Sequence, residues 1–157
     1  MKTNHMPVVA AALCALLAVT PVGAAGPAKP ADQRASLVLL DEERHLVLME
    51  MRNFLAVLQT ITDAITREDM KEIARAARSM GSGAANEIPP KTVAKLPEEF
   101  KVLAGGVHTT FDLMALDAES LADPKHTLTQ MNELLQKCNA CHGIYQIKVG
   151  RGAPSKK

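Results

Sequence analysis

Residues 40–65 read LDEERHLVLMEMRNFLAVLQTITDAI, and their apolar side chains recur mostly at steps of three and four residues. Because an α-helix turns once in about 3.6 residues, this spacing lines up one face of a helix. The pattern predicts a first helix from about Ala35 to Ile65. Its expected buried stripe consists of Leu40, Val47, Met51, Phe54, Leu55, Leu58, Ile61 and Ile65.

The same period predicts three further helices. Thr66-Arg-Glu-Asp69 has the pattern of a capping box that opens the second helix, which is expected to stop at Gly81-Ser-Gly83. A third helix is expected from about Pro97, and Asp123-Pro124 ends it and opens the fourth as N-cap and first helical residue. The second helix is expected to bury Met70, Ile73, Ala74, Ala77 and Met80. The third carries Phe100, Leu103, Ala104, Val107, Phe111, Met114 and Ala118 on one side. The fourth carries Leu128, Met131, Leu135, Cys138, His142 and Tyr145 along a single face.

Composition and connections favour one helical architecture. The chain has one Tyr, three Phe and no Trp, and β-branched runs bounded by turns are absent, which favours helices throughout. The segment Ala84–Lys95 contains Pro89-Pro90 and is predicted to be a crossover loop. Short first and third connections around this longer one predict an all-α, antiparallel four-helix bundle.

The first 25 residues are typical of a cleaved secretory signal. Lys2 precedes an apolar run from Pro7 to Thr20 that is too short for a membrane anchor, and small residues follow it. Cleavage after Ala24 or Ala25 would leave 26–157 as the mature domain, exported to the periplasm without stable membrane insertion. Cys14 would leave with the signal, and so would Lys2. Of 18 basic side chains 17 would remain against 17 acidic ones, a balance that does not favour nucleic-acid binding.

The sequence Cys138-Asn-Ala-Cys141-His142 is the C-x-x-C-H attachment motif of c-type haem. Two thiols on adjacent turns can each form a thioether with a haem vinyl group, and the following imidazole can become the proximal iron ligand. A redox dithiol would instead follow a strand at a helix N-terminus, and zinc would need further ligands. A disulfide across two residues of one helix would be strained. The motif therefore predicts one covalently attached haem c.

The chain resembles the class II c-type cytochromes, which include cytochrome c′. The resemblance rests on the signal, the four helices, the motif on the last helix and a methionine-bearing first helix. It implies a haem held inside the bundle, with its distal face toward the first helix. In low-spin members a methionine of that helix is the sixth iron ligand, whereas cytochrome c′ leaves the position open. Bundles of this family often form homodimers through their first two helices.

Periodicity chooses among the candidate distal ligands of the first helix. Met51 lies on the expected core face, whereas Met49 and His45 fall on the outer side, so we expect Met51 to be the distal ligand. The other interpretation is that Met51 only fills the core. His108 would be the competing ligand, although its spacing to Asp112 favours a half-exposed surface pair.

Other residues around the haem are placed less firmly by the sequence. His126 is expected to be exposed. Arg44 and Arg52 are candidates for pairing with haem propionates. Family members often have an aromatic residue at the position of Tyr145 and a basic residue next, where this chain has Gln146, with Lys148 and Arg151 further on.

The resemblance implies a one-electron carrier, not an enzyme, that meets redox partner proteins in the periplasm. Ligation by His142 and Met51 would give a low-spin iron of raised potential. If Met51 were not a ligand, the function would change to binding NO or CO at a five-coordinate iron. A peroxidase-type enzyme is the least supported alternative, because distal acid–base groups other than His45 or His108 cannot be placed.

Overall fold

A computed structural model describes residues 31–150, which are mostly helical with one small two-stranded sheet. The expected signal, its cleavage site, Cys14 and Arg151 lie outside these residues. The elements in order are β1 (Ala35–Leu39), α1 (Asp41–Thr66), α2 (Met70–Arg78), a 3-10 turn (Ala84–Glu87), α3 (Pro90–Val93), α4 (Glu98–Ser120), α5 (Pro124–Ile144) and β2 (Tyr145–Val149).

The sheet is the main departure from the predicted fold. The prediction that the first helix begins at Ala35 is wrong, because Ala35–Leu39 is a strand that pairs in parallel with Tyr145–Val149. Ala35 lies opposite Tyr145 and Leu39 opposite Val149. Leu37 and Leu39 are buried while Val38 between them is exposed, which is the two-residue period of a strand. The expectation of helices throughout is therefore also wrong.

The helix boundaries agree with the sequence in part. Asp123 caps α5, accepting a hydrogen bond from the Lys125 amide at 2.9 Å, and Pro124 is the first helical residue, as predicted. Asp69, not Thr66, caps α2, because its carboxylate accepts from the Glu72 amide at 3.0 Å and Thr66 ends α1. The predicted crossover loop contains the 3-10 turn and α3.

The buried apolar side chains form two clusters, of which the smaller also includes residues of β1 and of the loops around α3. α1 packs on α2, α2 on α4 and α4 on α5, whereas α1 comes close to α5 at only a few positions. Met51 packs against both clusters. The larger cluster contains Phe54, Ile61, Ile73, Ala77, Val107, Phe111, Met114 and Leu134, and the smaller contains Leu37, Leu39, Val47, Ile88, Leu96 and Phe100. Leu55 does not join the predicted stripe, since it is 70% exposed.

His108 is buried, so its interpretation as a half-exposed partner of Asp112 is wrong. Its side chain is only 5% exposed, with Nδ1 2.9 Å from the Met80 carbonyl oxygen and Nε2 3.4 Å from Glu50 Oε1. Asp112 instead accepts hydrogen bonds from the backbone and hydroxyl of Ser82, which lower its pKa. Burial opposes protonation of His108, but the Glu50 carboxylate and the carbonyls of Met80 and Gly81 outweigh it and raise its pKa.

A buried carboxylate fixes the beginning of α1. Glu43 Oε2 accepts from the Leu40 amide at 3.0 Å, and Lys95 Nζ donates to its two oxygens at 2.6 and 2.8 Å. The hydrogen bond from Lys95, followed by the one from Leu40, lowers the pKa of Glu43. This carboxylate joins α1 to the segment after α3.

We expect Glu43→Gln to lower the unfolding temperature at neutral pH, because it removes the charge that pairs with Lys95. The folded-state pKa lies below the ordinary value of 4.5, so the stabilisation is present above that value and disappears as the pH falls through the lowered pKa. Thermal unfolding across this pH range tests the expectation. Glu42→Gln, an exposed carboxylate of the same helical turn, is the control. Equal losses in both variants would contradict it.

We expect His108→Gln to destabilise the folded protein most in mildly acidic solution. The raised pKa means that protonated His108 stabilises the fold below its ordinary value of 6.5, and this contribution is lost as the pH rises through the folded-state pKa. The gap between wild type and variant in thermal unfolding should therefore narrow with rising pH. A gap that does not change with pH would show that only packing is lost.

Candidate functional site

The two cysteines of the motif lie on adjacent turns near the end of α5. Both are free and half-buried, Cys138 packing against the larger cluster and Cys141 against the smaller. Burial raises the pKa of both thiols. A catalytic redox dithiol has a thiol pKa lowered by a helix N-terminus or a nearby cation, so this setting disfavours that alternative.

A cavity of about 300 Å³ brings three of the four predicted site residues together. Cys141, exposed His142 and half-buried Met51 all line it, whereas Cys138 lies one turn back along α5. The remaining lining is mainly apolar and comes from β1 and the residue before it, and from α1, α4 and β2. It consists of Arg34, Leu37, Arg44, Val47, Leu48, Phe100, Tyr145, Gln146 and Ile147.

Partly uncovered apolar faces of α1 and α5 extend from this cavity. On α5 the face runs through Met131, Leu135 and Cys138, and on α1 it runs through Leu48, Met51 and Leu55 at similar steps. The hydroxyl of Thr62 on α1 lies 3.7 Å from the sulfur of Met131, so the two helices meet at the Met131 end of the α5 face. Leu128 and Leu135, which were predicted to share one face, are 45% and 42% exposed, and Leu134 is the buried residue beside Leu135.

These residues fit a covalently held haem. The chain provides two thiols at the attachment spacing, an imidazole next to the second, a thioether lining the same cavity and an apolar wall. The cavity alone would cover only part of a macrocycle as large as haem. The uncovered faces of α1 and α5, which include Leu55 and Leu135, are apolar surface available for the rest of the macrocycle.

Two arginines supply positive charge at the cavity. Of the two arginines predicted to pair with propionates, Arg44 lines the cavity, whereas exposed Arg52 does not. The sequence missed Arg34, whose Nη1 donates to the carbonyl oxygens of His142 at 3.1 Å and Tyr145 at 3.4 Å. Periodicity gave no signal for Arg34, because it directly precedes strand β1, and the pairing of that strand with the residues after α5 was not predicted.

The other predicted histidines lie away from the cavity lining. His45 is exposed, and Met49 is 38% exposed, as expected for the outer side of α1. His126 was expected to be exposed, and it is partly covered, with Nε2 3.0 Å from Asp117 Oδ2.

Within residues 31–150, no group of three His, Cys, Asp or Glu side chains could hold a metal ion by itself. None of the helices in this part of the chain combines the length and apolar character needed to cross a membrane. Comparison of the chain with protein-family models, curated proteins and solved structures finds no match in any of the three.

Proposed function

We propose that this protein is a periplasmic class II c-type cytochrome that carries one electron on a single haem c. The observation that carries the proposal is the motif Cys138-Asn-Ala-Cys141-His142 at the end of α5, with Met51 lining the same cavity as Cys141 and His142. Residues 1–25 would direct export, and the attached haem would belong to the mature domain.

The proposed architecture is an antiparallel four-helix bundle made by α1, α2, α4 and α5. The first support is that only three residues separate α1 from α2, and likewise α4 from α5. The second is that helices adjacent in this series pack against each other. In this arrangement α1 and α5 would flank the haem. Their weak mutual packing and uncovered apolar side chains support that role.

Cys138 and Cys141 would hold the haem through thioethers, and His142 would be the proximal ligand. Bound haem would supply an iron centre that gains and loses one electron, so the chain itself needs no bond-making groups. Met51 would be the distal ligand, because its thioether packs against both clusters and lines the cavity with His142. Arg44 would neutralise propionate charge at the cavity.

The surrounding residues would set the properties of the site. Val47, Leu48 and Phe100 line the cavity with apolar surface, which excludes water from that wall and favours the less charged state of the iron. The protein would then exchange electrons with redox partner proteins through a transient surface, without acting on a substrate.

The first test is the absorption spectrum of protein purified from a periplasm that attaches haem. We expect covalent haem bands that survive denaturation and organic extraction. Cys138→Ala and Cys141→Ala should each leave haem with one thioether, which shifts the reduced pyridine-adduct band. Cys14→Ser is the matched control and should behave as wild type, because this cysteine lies in the expected signal. A wild-type protein without haem would refute the proposal.

The second test separates the distal ligand from core packing. We expect the wild-type protein to be low-spin, to show the weak far-red methionine–iron band and not to bind CO. Met51→Ala should become high-spin and bind CO, while Met49→Ala, the exposed methionine two residues earlier, should keep the wild-type spectrum. A wild-type protein that is already high-spin and takes up CO would move the function to gas binding.

A further inference from the structure

The end of α5 carries the motif and has carbonyl groups without partners inside the helix. The last four carbonyls of an α-helix lack intrahelical donors. The Tyr145 amide bonds the carbonyl of Cys141, which leaves the carbonyl of His142 to find another donor. Arg34 Nη1 donates to this oxygen at 3.1 Å and reaches the Tyr145 carbonyl oxygen at 3.4 Å.

The backbone of Arg34 is itself held against the end of α5. Its carbonyl oxygen accepts from Gln146 Nε2 at 2.8 Å, and the next residue, Ala35, pairs with Tyr145 in the sheet. At the other end of the sheet the Gly150 amide donates to the Leu39 carbonyl at 2.7 Å. The sheet therefore keeps the guanidinium beside the carbonyl that it bonds.

The charge of Arg34 also suits its position. A helix C-terminus carries partial negative charge, so a cation there is favourable, and a charged donor makes a stronger hydrogen bond than a neutral one. Arg34 touches the backbone of His142 while both residues line the cavity. It can therefore restrain the last turn of α5 without occupying the place of the imidazole ligand.

From these contacts we propose that Arg34 is a positioning residue for His142, which keeps the imidazole directed at the iron by holding the end of α5. The inference rests on the proposed haem function. Without Arg34, the last turn of α5 would fray more readily, and the iron–imidazole bond would be easier to break. Arg34 would act through the backbone carbonyl of His142.

The test compares Arg34→Ala, Arg34→Lys and Lys148→Ala in the haem-loaded protein. Lys148→Ala removes the same charge from an exposed position on β2, next to the site. On acidification, we expect Arg34→Ala to lose its low-spin spectrum at a pH about one unit higher than wild type does. This shift corresponds to an about tenfold smaller equilibrium constant for ligation by His142. Arg34→Lys should recover part of the shift, and Lys148→Ala should show none.

Two readouts separate this role from general stability and from the haem proposal. Electron paramagnetic resonance should show a broader spread of ligand geometries in Arg34→Ala, which a uniform loss of stability would not produce. If wild type carries no haem, the proposed function fails, and the carbon NMR shift of the His142 carbonyl then tests the contact alone. An unchanged acid midpoint or resonance spectrum in Arg34→Ala would overturn the positioning role. An unchanged carbonyl shift would overturn the contact with His142.

Discussion

The packing of Phe54 sets the rotation of α1, and the candidate site depends on that rotation. The Phe54 ring lies nearly parallel to Phe111 at a centroid distance of 5.7 Å and meets His108 at 5.2 Å. Aromatic pairs at these distances add directional preference to apolar burial. Met51 precedes Phe54 by three residues, about 60° around the helix. With Phe54 fixed on α4, Met51 therefore points toward the cavity beside α5.

The same rotation explains why α1 has a buried apolar face and, beside it, a partly uncovered apolar face. Val47, Phe54 and Ile61 are buried, whereas Leu48 and Leu55 lie to one side and remain partly uncovered. Exposed apolar area costs about 25 cal/mol per Å² relative to burial. A cofactor that covers this face would therefore bind and stabilise the fold together, because ligands that bind only the folded state raise its stability.

Local patterns predicted the helices well and the sheet not at all. The caps at Asp123-Pro124 and the buried face of α2 depend on neighbours within a few residues, which a periodic sequence records. Strand β1 depends on a partner about 110 residues later in the chain, and nothing in Ala35–Leu39 alone marks that pairing. The position of Arg34 was unpredictable for the same reason. In contrast, Met51, Cys141 and His142 were predicted to lie at one site and do line one cavity, since the helix period and the motif spacing are both local.

The contacts of His108 bear on the choice of distal ligand. The sequence allowed His108 to compete with Met51, but its Nδ1 bonds the Met80 carbonyl and its Nε2 faces Glu50. To ligate an iron, it would have to give up its ring contact with Phe54 and its polar contacts with Met80 and the largely covered Glu50 carboxylate. Breaking hydrogen bonds of a buried side chain is costly. Met51 faces no such cost, because its thioether needs no hydrogen bond and already lines the cavity with His142. The polar contacts of buried His108 thus favour Met51 for the proposed role of distal ligand.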